Sequence, residues 1–367
     1  MKPSSKKRTE SRAKRSARGA RAGDASVDLT RLLDIVGAFP RQTICVVGDF
    51  VLDEFVSGEI SRVSREAPVL ILKHLRSEAY PGGAANAVNN IAELGARVLP
   101  VGVVGDDEGG QKLLEFFRRK RVDVSGIVRA REWVTTTKTR YLAGWTHTTE
   151  QQVLRVDREG AGSLPEKIAD GVARKAQRMA RRADAVLVSD YGMGAATPLV
   201  VRKLKAKRLT LDSRYRLLEY RDAGVSAATP NEPELEAAYH ARVGTDAGKF
   251  QELGERALRD LGLEALIVTR GKDGLALFEG NSDRGGGAPH PPRHIPIYGS
   301  DTPVDVTGAG DTVIAVFTLA LAAGATYLEA AHLANYAGGI VVMKRRTATV
   351  TRAELEAALR REATAQR

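Results

Sequence analysis

The sequence predicts an α/β fold: a mostly parallel sheet with helices on both faces, a three-layer α/β/α arrangement, carrying a small β-sheet lid. Two observations predict it. From about residue 43, short β-like runs alternate with helical stretches, the pattern of βαβ units. Two segments, 54–75 and 134–156, break that alternation. They are rich in β-branched residues and carry no helical period, so they read as extra strands, a lid over one sheet edge.

The strands of the main sheet are expected at 43–48, 97–103, 184–189, 207–211, 224–228, 264–269 and 273–278. Helices are expected at 83–95, 108–121, 165–182, 197–206, 232–241, 247–261, 309–323 and 327–343. The segment 280–293, with Gly285-Gly286-Gly287 and Pro289, Pro291 and Pro292, reads as a loop. A chain of 367 residues with 43% hydrophobic residues can bury a sizeable core, and no run of 18 or more apolar residues marks a membrane span. Cys45, the only cysteine, lies in the apolar run Thr43–Val47. It cannot form an intrachain disulfide, and it reads as a core residue in a reducing cytosol, so a cytoplasmic location is expected.

The net charge of +11 is uneven. Nine cations precede residue 25 and only Glu10 and Asp24 offset them, so the tail carries +7 of the total. Low hydrophobicity and like charge predict a disordered tail over 1–27, ahead of one domain over 28–367. The tail lacks the apolar stretch of a secretory signal. It reads as a solvated segment whose contact with nucleic acid or anionic lipid is non-specific.

The most informative string is Asp305-Val306-Thr307-Gly308-Ala309-Gly310-Asp311-Thr312, followed at once by an apolar helix. Glycines at a helix mouth let backbone N–H groups approach an anion, and the helix N-terminus adds partial positive charge. A carboxylate beside such a cradle repels phosphate, but it makes sense if Asp311 accepts a proton from an attacking hydroxyl. The alternative is turn chemistry at Gly308 and a helix cap at Asp311. Upstream, Pro81-Gly82-Gly83-Ala84-Ala85-Asn86 opens a helix, and Gly48-Asp49-Phe50-Val51-Leu52-Asp53 closes a strand. Thr229-Pro230-Asn231-Glu232-Pro233-Glu234 has the spacing of an N-cap and capping box. Gly271 and Gly274, near Thr269, could mark a hairpin.

Together these strings resemble the signatures of the PfkB (ribokinase-like) carbohydrate kinases, from about Thr43 to Leu359. The resemblance implies a ribokinase-like sandwich, ATP and Mg²⁺ as cofactors with K⁺ as a further candidate, and a homodimer through the lid. It makes Asp311 the catalytic base and Gly308, Ala309 and Gly310 the anion hole. Asp53, Gly82, Gly83 and Asn86 would bind the sugar. Asn231 and Glu234 would support Mg²⁺-ATP, with Thr269, Gly271 and Asn335 at the nucleotide. Asp305 and Thr307 would help hold the monovalent cation.

Further strings narrow the resemblance to D-glycero-β-D-manno-heptose 7-phosphate kinases. They are Gly58–Val69, Ser189–Gly194, Thr229-Pro230-Asn231 and Thr347–Val350. Those enzymes phosphorylate the anomeric hydroxyl of a sugar that already bears a phosphate, feeding lipopolysaccharide core synthesis. Lys138, Arg140 and Arg214 match basic positions that would meet that phosphate; solvent-facing charges are the alternative. Met193, Ser213 and Arg345-Arg346 depart from the family pattern, as does the lengthened connection 143–150. Eight residues follow Leu359, so only the kinase step of the bifunctional members is expected. The rival readings are a PfkB kinase for another sugar or nucleoside, and an anionic-surface binder on an inactive kinase fold.

Overall fold

A computed structural model describes residues 27–145, 150–160, 164–280 and 291–365. The basic tail lies outside the described residues except for its last position, as do residues 281–290 and 146–149 of the loop and connection noted above.

In chain order the strands are β1 Thr43–Gly48, β2 Phe50–Val63, β3 Leu70–Gly83, β4 Arg97–Val101, β5 Val103–Gly105, β6 Val128–Ala130, β7 Thr136–Gly144 and β8 Gln151–Arg158. They continue as β9 Ala185–Asp190, β10 Leu209–Ser213, β11 Ala227–Ala228, β12 Ala265–Thr269, β13 Leu275–Glu279 and β14 Arg293–Ile295. The main sheet runs β14-β13-β12-β11-β10-β9-β1-β4. From β4 to β12 every pairing is parallel; β13 and β14 are antiparallel additions at the far edge. Strands such as β1 and β9 are near-continuous apolar runs because helices cover both faces. One face packs against the helices Leu29–Ala38, Ala84–Glu93, Glu108–Arg119, Ala309–Ala322, Tyr327–Val341 and Arg352–Ala365. The other packs against Glu166–Ala180 and Ala247–Leu261.

The lid is a separate sheet, β3-β2-β7-β8. Its central strand β2 starts buried beside the body at Phe50–Asp53 and ends exposed at Ser61–Val63. The lid strands are longer than the sequence implies: β2 begins four residues before 54, and β3 runs on to Gly83, so Gly83 ends a strand instead of starting the helix expected at 83–95. The strand expected at 97–103 is interrupted at Gly102, where a Cβ would stand 2.6 Å from the Gly48 carbonyl oxygen. The helix expected at 197–206 forms only over Pro198–Val201, and β6, β14 and the helices Leu29–Ala38 and Arg352–Ala365 were not anticipated.

Candidate active site

The parallel strands deliver chemistry at their C-terminal ends, where open α/β sheets bind ligands. Asp49 follows β1, Tyr191 follows β9, Arg214 follows β10, and Thr229 to Asn231 follow β11. With Asp212, Glu234, Thr269, Gly308, Gly310 and Asp311 several of these line an open polar cavity of about 900 Å³.

Asp311 sits in the first turn of the helix Ala309–Ala322 and is only 3% exposed. Asn86 Nδ2 donates to its Oδ2 at 3.1 Å, and the Tyr191 hydroxyl donates to its Oδ1 at 2.8 Å. Burial pushes its carboxyl up to about 7, although both hydrogen bonds pull it down. Gly308 caps the helix in the left-handed region at φ +78, and a Cβ there would stand 2.5 Å from Asn86 Nδ2. The two glycine motifs, 222 residues apart, therefore meet: Asn86 Nδ2 also donates to the Gly308 carbonyl at 3.2 Å. Both polar ends of Asn86 are engaged within the protein, since its Oδ1 accepts from Asn90 at 3.2 Å.

On the lid side, Asp53 is 4% exposed. Its carboxylate accepts from Arg140 Nη1 at 2.6 Å and from Thr347 Oγ1 at 3.1 Å. A Cβ on Gly82 would come within 2.3 Å of Asp53 Oδ2, so this glycine is required by the carboxylate beside it. Gly83 takes φ +56. Lys138 is the register partner of Asp53 on β7 and carries no ion pair among the described residues. Arg214 lines the polar cavity with Asp311, Asn231 and Glu234.

Asn231 and Glu234 form the reciprocal capping box that their spacing implies, with Glu234 N–H donating to Asn231 Oδ1 at 2.8 Å and Asn231 N–H to Glu234 Oε2 at 3.0 Å. Both also line the cavity. Burial raises the Glu234 carboxyl, and that of Asp212 stands well above the ordinary carboxylate range through burial and the nearby Glu234. Thr229 lines the same wall, and its buried Oγ1 has no hydrogen-bond partner among the described residues. Among the described residues no cluster of three or more His, Cys, Asp or Glu forms a metal cage. Mg²⁺ fits this wall only with hard oxygen donors shared between protein, phosphates and water, which is how that ion is commonly held.

A second, more apolar cavity of about 630 Å³ adjoins the first at Thr269, Val306 and Gly310. Leu275, Ile297, Val313 and Val342 supply its apolar walls, and Asn335, Gly271 and Gly274 line it too. Gly271 and Gly274 form the turn of the β12–β13 hairpin, so their hairpin reading and their place at the cavity hold together. Asn335 Nδ2 donates to the Pro296 carbonyl at 2.8 Å. The carboxylate of Asp305 accepts from the backbone N–H of Thr307 at 2.9 Å and of Arg346 at 2.8 Å. Arg346 holds φ +66, a region that glycine enters freely and arginine seldom does.

The sequence reading gave no role to three contributors: Asp49, Tyr191 and Asp212. Each stands where a buried parallel strand ends; for Asp49 and Asp212 a carboxylate in that position was the available signal, and for Tyr191 only its place in the string Ser189–Gly194.

A buried carboxylate at a glycine-rich helix mouth, beside paired polar and apolar cavities, is an arrangement suited to phosphoryl transfer. Residues 41–354 match the model of the pfkB family of carbohydrate kinases, and the chain belongs to that family. Family membership makes it an ATP- and divalent-metal-dependent kinase. It is 38% identical over 317 residues to the bifunctional protein HldE of Geobacter metallireducens, covering 84% of this chain and 61% of the relative. With the HldE of Chromohalobacter salexigens it is 42% identical over 324 residues, covering 86% and 63%. The chain thus spans less than two thirds of these relatives' length. The fold is that of Escherichia coli phosphofructokinase-2 in complex with substrates and products (TM-score 0.69, 16% identity, 88% of this chain and 99% of that one). It is also that of Arabidopsis thaliana ribokinase complexed with ribose and ATP (TM-score 0.63, 18% identity, 87% and 98%). Among the described residues no helix is long and apolar enough to cross a membrane.

Proposed function

We propose that residues 28–367 act as one kinase domain that transfers the γ-phosphoryl group of ATP to the anomeric hydroxyl of D-glycero-β-D-manno-heptose 7-phosphate. The observation that carries the kinase chemistry is the meeting of the two glycine turns at Asp311, through Asn86. The sugar identity rests on the heptose-kinase strings and on the similarity to the HldE proteins.

The sugar lies against Gly82, Gly83 and Asp53, under the lid. Its anomeric O–H gives its proton to Asp311 as the oxygen forms a bond to the γ-phosphorus and the bond to the β-phosphate oxygen breaks, releasing ADP. The amides of Gly308 to Gly310 and the helix N-terminus stabilise the negative charge of the transferring group. Arg214, on the same wall as Asn231 and Glu234, faces the nucleotide phosphates, and the adenine takes the adjoining apolar cavity. Mg²⁺ would screen the phosphate charge, with Asn231 and Glu234 and the neighbouring Asp212 as the residues that would hold it, directly or through water. A K⁺ would lie beside Asp305 and the Arg346 turn.

One observation favours a second reading, a kinase for another sugar or sugar phosphate. Arg140 is already paired with Asp53 and Arg214 stands in the polar cavity, which leaves Lys138 as the only one of the three candidate cations that is on the lid and without an ion pair among the described residues. A coupled ADP-release screen over heptose 7-phosphate, fructose phosphates, ribose and nucleosides separates the two; equal or better turnover of an unphosphorylated sugar overturns the heptose assignment. The lid also carries the proposed dimer contact. Val69, Leu70, Val153 and Leu154 are 43–55% exposed, around an apolar depression that a second lid would cover. The lone, buried Cys45 accords with a cytoplasmic setting.

A further inference from the structure

The carboxylate of Asp311 is gripped on both oxygens. Asn86 holds Oδ2, and the Tyr191 phenol holds Oδ1 at 2.8 Å. Two donors on opposite oxygens fix the plane of a carboxylate.

Tyr191 has little freedom of its own. Asp49, at the end of β1, accepts from the backbone N–H groups of Tyr191, Met193 and Ala195 at 2.9, 3.0 and 2.9 Å. One residue before the tyrosine, Asp190 accepts from Ser213 Oγ at 3.0 Å, Arg216 Nε at 3.2 Å and the Tyr220 hydroxyl at 2.8 Å. Two buried carboxylates therefore hold the loop 190–195 from both sides, in a protein where burying charge is costly. The ring also lies against the sugar-side turn: a Cβ on Gly83 would come 3.4 Å from Tyr191 Cδ2 and 2.9 Å from the Asp49 carbonyl oxygen. The phenol is thus delivered to Asp311 by a rigid loop, between the sugar turn and the anion cradle. Burial and the charge of Asp311 raise the phenol far above its ordinary range, so it keeps its proton and stays a donor.

We propose that Tyr191 is a positioning residue for phosphoryl transfer, its hydroxyl fixing the orientation of the Asp311 carboxylate toward the incoming sugar hydroxyl. The proposal rests on Asp311 being the base. It assigns no proton transfer to the tyrosine: the sugar proton goes to Asp311 and the phenol retains its own.

The test is Tyr191→Phe in the full chain, which removes one oxygen and keeps the ring packing. A hydrogen bond to a charged group contributes about 1.5–3 kcal/mol, so kcat should fall roughly ten- to a hundredfold while KM for ATP stays within about twofold. The second arm measures single turnovers in an Asp311→Asn background, with whichever sugar the enzyme accepts. If the phenol acts through Asp311, the further loss there is less than about threefold, the non-additivity of groups that work as a unit. A general loss of packing or stability lowers both backgrounds alike. Retention of more than half of kcat by Tyr191→Phe, or the same fold-loss in both backgrounds, overturns the proposal. Full activity of Asp311→Asn by itself overturns the assignment of the base, a separate outcome.

Discussion

The two glycine turns of the site look alike in sequence and differ in what shapes them. Gly82 ends a lid strand, and its missing side chain is filled by the carboxylate of Asp53. Gly308 opens a helix, holds φ +78, and its missing side chain is filled by the amide of Asn86. In the proposed function, one turn leaves room for the group that would recognise the sugar, and the other for the group that holds the proposed base. A glycine in such a motif is explained by the side chain that comes from elsewhere to use its space, and the two turns should therefore fail in different kinetic constants.

The largest effect belongs to the group between them. Asp311→Asn should lower kcat by about 10²–10⁴ while ATP binding, followed by nucleotide titration, is largely kept. Gly308→Ala should come next. The added Cβ meets Asn86 Nδ2 at 2.5 Å and the backbone must stay left-handed, which costs about 1 kcal/mol or more. We expect kcat to fall about tenfold or more with a lowered melting temperature, because Asn86 can no longer hold Asp311. Gly82→Ala should instead raise KM for the sugar about tenfold and spare KM for ATP, since its Cβ displaces Asp53 Oδ2 at 2.3 Å. Equal effects of both alanines on kcat and on sugar KM would erase the distinction between the turns.

The smallest effect is on pH. Burial raises the Asp311 carboxyl to about 7, and only its ionised form accepts a proton. Activity should therefore be full above about pH 8 and fall close to tenfold for each unit below 7. A pH–rate profile that stays flat down to pH 5 contradicts a base of this kind.

Much of this was legible in the residues, and the limits have physical causes. Buried parallel strands announce themselves as apolar runs, so β1, β9 and β12 fall within a residue of their expected positions. The three-residue strands β6 and β14 are too short to show a period. The helix Arg352–Ala365 was missed although Thr351 and Glu354 bond reciprocally at its start, Thr351 N–H to Glu354 Oε2 at 2.8 Å and Glu354 N–H to Thr351 Oγ1 at 3.2 Å, the capping signal the sequence does carry. In the site, motif strings brought Asp53, Asn86, Gly308 and Asp311 to one place. They did not show that Arg140 pairs with Asp53 while Arg214 lines the polar cavity, because such pairings are made between strands far apart in the chain. Tyr191 lay inside a recognised string, yet the role proposed for it depends on Asp49 gripping its loop across 142 residues of sequence.

The central claim is that Asp311 drives transfer to the anomeric oxygen of a phosphorylated heptose. Its most direct test is ³¹P NMR of D-glycero-β-D-manno-heptose 7-phosphate incubated with ATP, Mg²⁺ and either the wild-type chain or Asp311→Asn. The account predicts a second, anomeric phosphate signal growing with the ADP signals for the wild type, and none over the same time for the variant. ATP consumed without a sugar bisphosphate, or equal product from Asp311→Asn, would contradict it.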